Sequence, residues 1–296
     1  MRIVYLGTSP FAVDVLDRLA MSPHRPQLVV TRPDRPQGRG RKLTPPPVAK
    51  CSALLGIETI QPDSVNSEEA RAAIAAAKPD AVIVCAYGAL IKEPLLSAHP
   101  MLNVHPSLLP RWRGAAPIER AIDAGDEETG VTIMRLVAEL DAGPMFLQRN
   151  EPIHPADDFG SLSGRLAVLS GELLLEALDG DLPPRDQPEH GVTYAEKIDR
   201  DDRRLDPARP AVELERRVRA LTPHVGAFVL MGDDDRLGVR RSALAPDGAE
   251  IDPGELRPVD DRLLLGTASG ALELLEVQPA GKRPMDAASF LRGHGA

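Results

Sequence analysis

Aromatic side chains are scarce in this chain, with one Trp, three Tyr and five Phe among 296 residues. A core with so few rings must rest on Leu, Val, Ile and Ala, and at 43% hydrophobic residues the chain holds enough of them for an ordinary globular protein. Cysteine is scarcer still. Cys51 and Cys85 lie far apart with no metal-ligand spacing, and Cys85 sits inside an apolar run, so both read as reduced, structural thiols of a cytoplasmic protein. No apolar run approaches membrane-spanning length and the first residues enter a strand pattern directly, so neither a membrane partner nor a signal peptide is expected. Positive charge is also in deficit: 35 Lys and Arg against 44 Asp and Glu leave a net charge of -9, which argues against a uniformly basic nucleic-acid wrapper. Any nucleic acid must meet a local patch.

The length suits two domains. Residues 2–6 are a short apolar run that ends at Gly7-Thr8-Ser9-Pro10, and apolar residues at helical spacing follow over 11–19. Strand, tight turn and helix in that order open a parallel α/β sheet. The turn lacks the glycine spacing of a dinucleotide fingerprint, so no nucleotide cofactor is expected there. Residues 27–31 predict a second strand. Residues 32–47 then concentrate Arg, Lys, Gly and Pro, which predicts a long, irregular basic loop. Helices are predicted over 48–55 and over 67–77, the latter opened by Ser67 with Glu68 and Glu69 in its first turn, and strands over 57–60 and 81–86. Beyond the stretch described next, a helix is expected at 117–124, strands at 130–136 and 145–153, and a helix at 159–178. The boundaries that follow are a catalytic domain over 1–180, a linker over 181–205 and a second domain over 206–296. In that second domain a helix at 212–221 precedes short β-type runs at 227–231, 237–241, 262–266 and 272–277, a spacing that suggests a small antiparallel barrel.

The chain is organised around residues 101–118. If 101–104 form a short strand, Asn103 and His105 leave it on one face while Leu102 and Val104 take the other. Pro106 and Pro110 hold the residues before them extended, so a shaped loop follows the strand. An amide and an imidazole at a strand end suit the holding of a carbonyl oxygen and the movement of a proton. In open α/β sheets a ligand sits outside the carboxyl ends of the strands, and 87–91, 103–110 and 137–143 are three such ends.

Asn-Val-His-Pro-Ser-Leu-Leu-Pro-Arg-Trp-Arg-Gly-Ala-Ala-Pro-Ile at 103–118, then Thr-Gly-Val-Thr-Ile-Met at 129–134 and Leu-Asp-Ala-Gly at 140–143, closely resemble the formyl-transferring enzymes that use 10-formyltetrahydrofolate. The resemblance spans nearly the whole chain. It implies a Rossmann-like domain followed by a small OB-like β-barrel, with 10-formyltetrahydrofolate as co-substrate and no metal. It further implies formyl transfer to the α-amino group of a methionyl initiator tRNA in the initiation of protein synthesis. Asn103 would stabilise the oxyanion, His105 would donate or shuttle the proton, and Asp141 would orient and charge-stabilise that imidazole. Ser107, Leu108, Leu109 and Pro110 would lie against the folate, with Ala89, Leu90 and Val137 bordering its pterin pocket; the Ser107 hydroxyl either serves the substrate or only fixes the loop. Arg35, Arg39, Arg41 and Lys42 are the candidate tRNA contacts, and a monomer is expected.

Formyl transfer to a small amine, or hydrolysis of formyltetrahydrofolate, would use the same Asn103, His105 and Asp141 but would need neither the basic loop nor the second domain. A non-catalytic nucleic-acid binder would keep loop and tail and make the three side chains coincidental. Two features depart from the family pattern. Where the family often carries Asn-Pro-Trp-Pro, this chain has Thr222-Pro223-His224-Val225, so the packing of a Trp is expected to be missing. From residue 205 on, 12 Lys and Arg face 15 Asp and Glu, which weakens the expectation of a phosphate-binding face there.

Overall fold

The hydrophobic run Ile3–Gly7 (β1) is buried at every position, as a strand covered on both faces must be. In the computed structural model, which describes residues 1–38, 40–232, 235–246, 248 and 250–293, it leads into α1 (Pro10–Ala20). The Ser9 side chain caps that helix at Ala12 N, Pro10 starts it, and Ala12, Val15, Leu16 and Leu19 form its buried stripe. There follow β2 (Pro26–Val30), β3 (Arg35–Gln37), β4 (Lys42–Thr44), α2 (Pro47–Leu54), β5 (Glu58–Ile60) and α3 (Glu68–Ala76), whose N-cap is Ser67 as its sequence predicts. Then come β6 (Ala81–Cys85), α4 (Leu95–Ala98), β7 (Met101–His105), β8 (Arg113–Gly114), α5 (Pro117–Ala124), β9 (Glu128–Arg135), β10 (Met145–Pro152), α6 (Phe159–Asp179) and β11 (Tyr194–Ala195).

Among the described residues seven strands form one sheet in the order β10-β9-β7-β6-β1-β2-β5. β1 is parallel to β2 and β6, β2 to β5 and β6 to β7, whereas β9 runs antiparallel to β7. The chain builds outward from β1 to β5 and then returns to place β6 on the other side of β1. That reversal opens a crevice beyond the carboxyl ends of β1 and β6, where ligands of such sheets sit. One buried face is filled by Val4, Leu28, Ile74, Val82 and Leu95 without a Phe or Trp, in line with the composition.

Residues 32–47 correct one expectation. Instead of an irregular loop, β3 and β4 pair as an antiparallel hairpin with Arg35 opposite Thr44 and Gln37 opposite Lys42. Pro36 is tolerated because this two-stranded ribbon pairs only with itself and lies exposed, so the missing N–H costs no ladder bond with a neighbouring strand. Arg39 lies outside the described residues.

The chain divides into two compact units, one made of 1–117, 129–152 and 163–195 and the other of 118–128, 153–162 and 196–296. The second unit contains α7 (Ala211–Leu221), β12 (Ala227–Met231), β13 (Asp235–Leu244), β14 (Leu256–Val259), β15 (Arg262–Gly266), β16 (Ala271–Pro279), β17 (Met285–Asp286) and α8 (Ala287–Gly293). Its strands, among the described residues, form an antiparallel sheet in the order β12-β13-β16-β15-β14 with β17 also on β16, so β12 and β14 are ends and the sheet is a half-open one. Register shifts at Val239 to Ser242 mark a bulge that bends β13. Leu214, Val218, Val239, Leu263, Leu274 and Phe290 meet in one core. β14 and α8 have no counterpart in the sequence reading.

No Trp stands at 222–225, but one ring of this stretch does stack. His224 stacks on Phe159 with ring centroids 3.7 Å apart and an interplanar angle of 25°, and its Nε2 lies 3.0 Å from Glu119 Oε1. Arg217 donates to both oxygens of Asp123 at 2.6 and 2.7 Å, and Arg120 to both oxygens of Asp202 at 2.8 and 2.7 Å. Among the described residues no helix is long and apolar enough to cross a membrane.

Candidate active site

The alternation along β7 places Asn103 and His105 together at its carboxyl end, as the two-residue spacing predicts, and both are buried. Asp141 reaches them from the turn after β9. Its Oδ1 accepts from Asn103 Nδ2 at 3.2 Å, its Oδ2 accepts from the Gly114 amide at 2.9 Å, and that same oxygen lies 3.7 Å from His105 Nδ1. The structure therefore brings the three sequence candidates into one cluster. Its carboxylate has two donors and a nearby imidazole, and its side chain is only 11% exposed.

Loop bonds set the imidazole. His105 Nε2 donates to the Trp112 carbonyl at 2.9 Å, which leaves Nδ1 to face Asp141. Trp112 is held in turn by Thr193, whose Oγ1 accepts from the Trp112 amide at 2.9 Å. The loop between His105 and Trp112 is knotted by two hydroxyls. Ser107 Oγ donates to the Arg111 carbonyl at 2.7 Å, and Thr132 Oγ1 donates to the Ser107 carbonyl at 2.7 Å while accepting from Gln148. The Ser107 hydroxyl thus fixes the loop, one of the two roles left open for it.

Asn103, His105 and Asp141 line a cavity of about 500 Å³, a size that suits a small-molecule site. Ala89, Leu90 and Val137 line it too, while Ser107, Leu108, Leu109 and Pro110 do not. Ser107 and Leu109 are buried under the loop, and Leu108 and Pro110 are half-buried. A neighbouring cavity of about 360 Å³ is lined by Arg32, Arg35, Gln37 and Thr44 from the hairpin side and by Tyr87 and Gly88, which also line the first. Burial pushes the Tyr87 phenol up, an effect the Arg32 guanidinium beside it partly offsets. Of the basic candidates, Arg35 lines this second cavity, and Arg41 and Lys42 are exposed on the hairpin.

Three elements of the cluster have no sequence signal. The Trp112 carbonyl and the Gly114 amide are main-chain groups, and Gln187, inside a segment that reads as a linker, donates to the carbonyls of Asp141 and Gly143 at 2.7 and 2.9 Å. The nearest hint is the run at 193–198, whose sequence reads as the start of a segment that crosses to the second domain and which contains a two-residue strand at Tyr194–Ala195. That strand, β11, is parallel to β8.

Two family models match the chain, one described as formyl transferase over residues 1–178 and one as formyl transferase, C-terminal domain, over residues 197–295. A methionyl-tRNA formyltransferase from Ruegeria pomeroyi is 44% identical over 297 residues, which are 99% of this chain and 97% of that protein. Among solved structures, a methionyl-tRNA formyltransferase from Clostridium thermocellum has a TM-score of 0.61 at 14% identity, covering 83% of this chain and 94% of its own. HypX from Aquifex aeolicus, in complex with tetrahydrofolic acid, has a TM-score of 0.64 at 21% identity, covering 98% of this chain and 47% of HypX. The chain thus spans about half the length of HypX and nearly all of the Ruegeria protein. At their identities the two solved structures show a shared fold.

Proposed function

The chain belongs to the formyl transferase family, and from that membership we propose that it transfers the formyl group of 10-formyltetrahydrofolate to the α-amino group of methionyl initiator tRNA. The observation that carries the choice of substrate is the 44% identity with a methionyl-tRNA formyltransferase across 99% of the chain. The reaction takes place in the cytoplasm, on a monomer, and serves the initiation of protein synthesis.

The residues present fit a folate. A cavity of about 500 Å³ has apolar walls at Ala89, Leu90 and Val137 and a buried polar end at Asn103, His105 and Asp141. Ala89, Leu90 and Val137 border the pterin. Leu108 and Pro110 belong to the adjoining loop, outside the lining of that cavity, and Ser107 and Leu109 hold that loop in shape. The folate supplies an activated formyl group on nitrogen. The chain must then place the amine, stabilise charge on the formyl oxygen and move one proton.

One Asn103 amide hydrogen is bound to Asp141, which fixes the plane of the side chain and leaves the second hydrogen to donate to the oxyanion. With Nε2 committed to the Trp112 carbonyl, His105 uses Nδ1 to take the proton from the attacking amine and return it to the leaving nitrogen. The Asp141 carboxylate stabilises the imidazolium so formed. No covalent nucleophile is required, because the amine attacks directly.

Arg35, Arg41 and Lys42 on the hairpin, together with Arg39 of the same sequence stretch, meet tRNA phosphates as a local positive patch on a chain of net charge -9. In this reading residues 1–180 are catalytic, 181–205 link, and 206–296 form the OB-like domain. The deciding experiment supplies 10-formyltetrahydrofolate with charged initiator tRNA, with small amines and with water alone. Formyl-methionyl-tRNA as the preferred product supports the proposal, and preferred formylation of a small amine or hydrolysis overturns it.

A further inference from the structure

We propose that Gln187 is a positioning residue for formyl transfer, acting through the turn that carries Asp141. The inference rests on the reading of Asp141 as part of the transfer site. Asp141 has a φ of +45°, a region an L residue occupies only when its surroundings hold it there. Gln187 does that holding. Its two amide hydrogens go to the carbonyls of Asp141 and Gly143, and its Oε1 accepts from Arg113 Nε at 3.1 Å and from Nη2 at 2.8 Å. Both donors and both lone pairs are used. A flipped amide would point NH₂ at a guanidinium and oxygen at two carbonyls, so only one orientation satisfies the site.

The opposite side of this clamp is held as well. Arg113 is 7% exposed, its Nη1 lies 3.5 Å from Glu139 at the start of the same turn, and the next residue, Gly114, donates its amide to Asp141 Oδ2. A Cβ at Gly143 would run into the Arg135 carbonyl, so the turn sits tightly against β9. Gln187 thus links the backbone of the Asp141 turn to the strand that supplies one of the carboxylate's donors. It does so without being needed to anchor its own segment. Arg185 pairs with Met145 through two main-chain bonds of 2.7 and 2.8 Å on one side, and β11 pairs with β8 on the other. Loss of Gln187 should leave the segment in place and free the turn.

The test uses the full chain with Gln187→Ala and Gln187→Glu, each alone and combined with Asp141→Asn. Steady-state formylation gives kcat and KM for both substrates, and amide hydrogen exchange is followed over 139–143. Gln187→Ala should lower kcat by roughly 10- to 100-fold, the scale of a small misplacement, with both KM values within about twofold. In the Asp141→Asn background the further loss should be under about threefold, because the side chain acts through one already removed. Gln187→Glu keeps the acceptor for Arg113 but cannot donate to the carbonyls, so it should resemble Gln187→Ala. Exchange over 139–143 should quicken in both variants. An equal loss in the two backgrounds, a loss borne by KM, or wild-type kcat in Gln187→Glu overturns the proposal. If the wild-type chain does not formylate methionyl-tRNA, the proposed function fails by itself. The exchange measurement needs no substrate and still decides this inference: unchanged exchange in both variants refutes it.

Discussion

The main-chain oxygen of Trp112 lies 2.9 Å from His105 Nε2. A carbonyl can only accept, so this contact assigns the Nε2 hydrogen and reserves Nδ1, 3.7 Å from Asp141, for the proton that moves. That distance is beyond a hydrogen bond, and such contacts commonly tighten once substrate is bound.

Asn103→Ala, His105→Ala and Asp141→Asn should each lower kcat for formylation by about 10² or more while the protein stays folded, as expected when oxyanion or acid/base groups are lost. Double variants should lose far less than the product of the single losses, since the three act on one transition state. Near wild-type turnover of His105→Ala would sink the mechanism.

Replacing Arg39, Arg41 and Lys42 with Ala should raise KM for tRNA and leave KM for the folate donor almost unchanged. Each lost phosphate contact should reduce the slope of log affinity against log salt by about 0.7 to 0.9. Affinities at several salt concentrations decide the matter; superimposable lines for wild type and variant would remove the hairpin from tRNA binding.

The two-pronged bond from Arg120 holds the Asp202 carboxyl below its ordinary value, and Asp202 in turn raises the Arg120 guanidinium. A carboxylate depressed in the folded state stabilises the fold above its unfolded pKa, and that stability is lost as pH falls through the folded value. Wild-type stability should therefore drop as the pH goes below about 4, the ordinary carboxylate range. Arg120→Met should cost about 2 kcal/mol at pH 7, because it leaves a largely buried carboxylate without its main donor, and should flatten the acid drop. Urea midpoints across pH test this, and an acid drop of wild-type size in the variant would refute it.

Burial pushes the thiols of Cys51 and Cys85 up to about 12, helped at Cys51 by the Asp17 carboxylate that accepts its S–H at 3.0 Å. Little thiolate is then present near neutrality, and thiolate is the species that reacts. Iodoacetamide at pH 8 should leave both cysteines of the folded protein unlabelled and label both in concentrated urea. Rapid labelling of either one in the native protein would contradict the burial seen here.

Much of this molecule is legible residue by residue, because the rules that apply are local. The spacing of Asn103 and His105 places them on one face of β7, Ser67 caps α3, and α5 forms over the predicted residues. Alternation, capping and proline restriction act within a few positions of the chain. The resemblance carried by 103–118 and 140–143 extends that reading to Asp141, a residue that spacing alone would have left as a turn former.

What the tertiary structure alone decided is how those side chains are aimed. The bond from Trp112 to Thr193 and that from Gln187 to Asp141 span 81 and 46 residues. Neither a carbonyl at Trp112 nor an amide at Gly114 depends on which side chain the residue bears, so no motif marks them. The hairpin at 35–44 went unread for a related reason: its two strands bury no apolar face, so pairing left no hydrophobic alternation to see. The stack of His224 on Phe159 likewise joins residues that no periodicity connects. The residue types that do the chemistry are written in the chain, whereas the distances that let them act together arise only when distant main-chain segments must satisfy one another's hydrogen bonds.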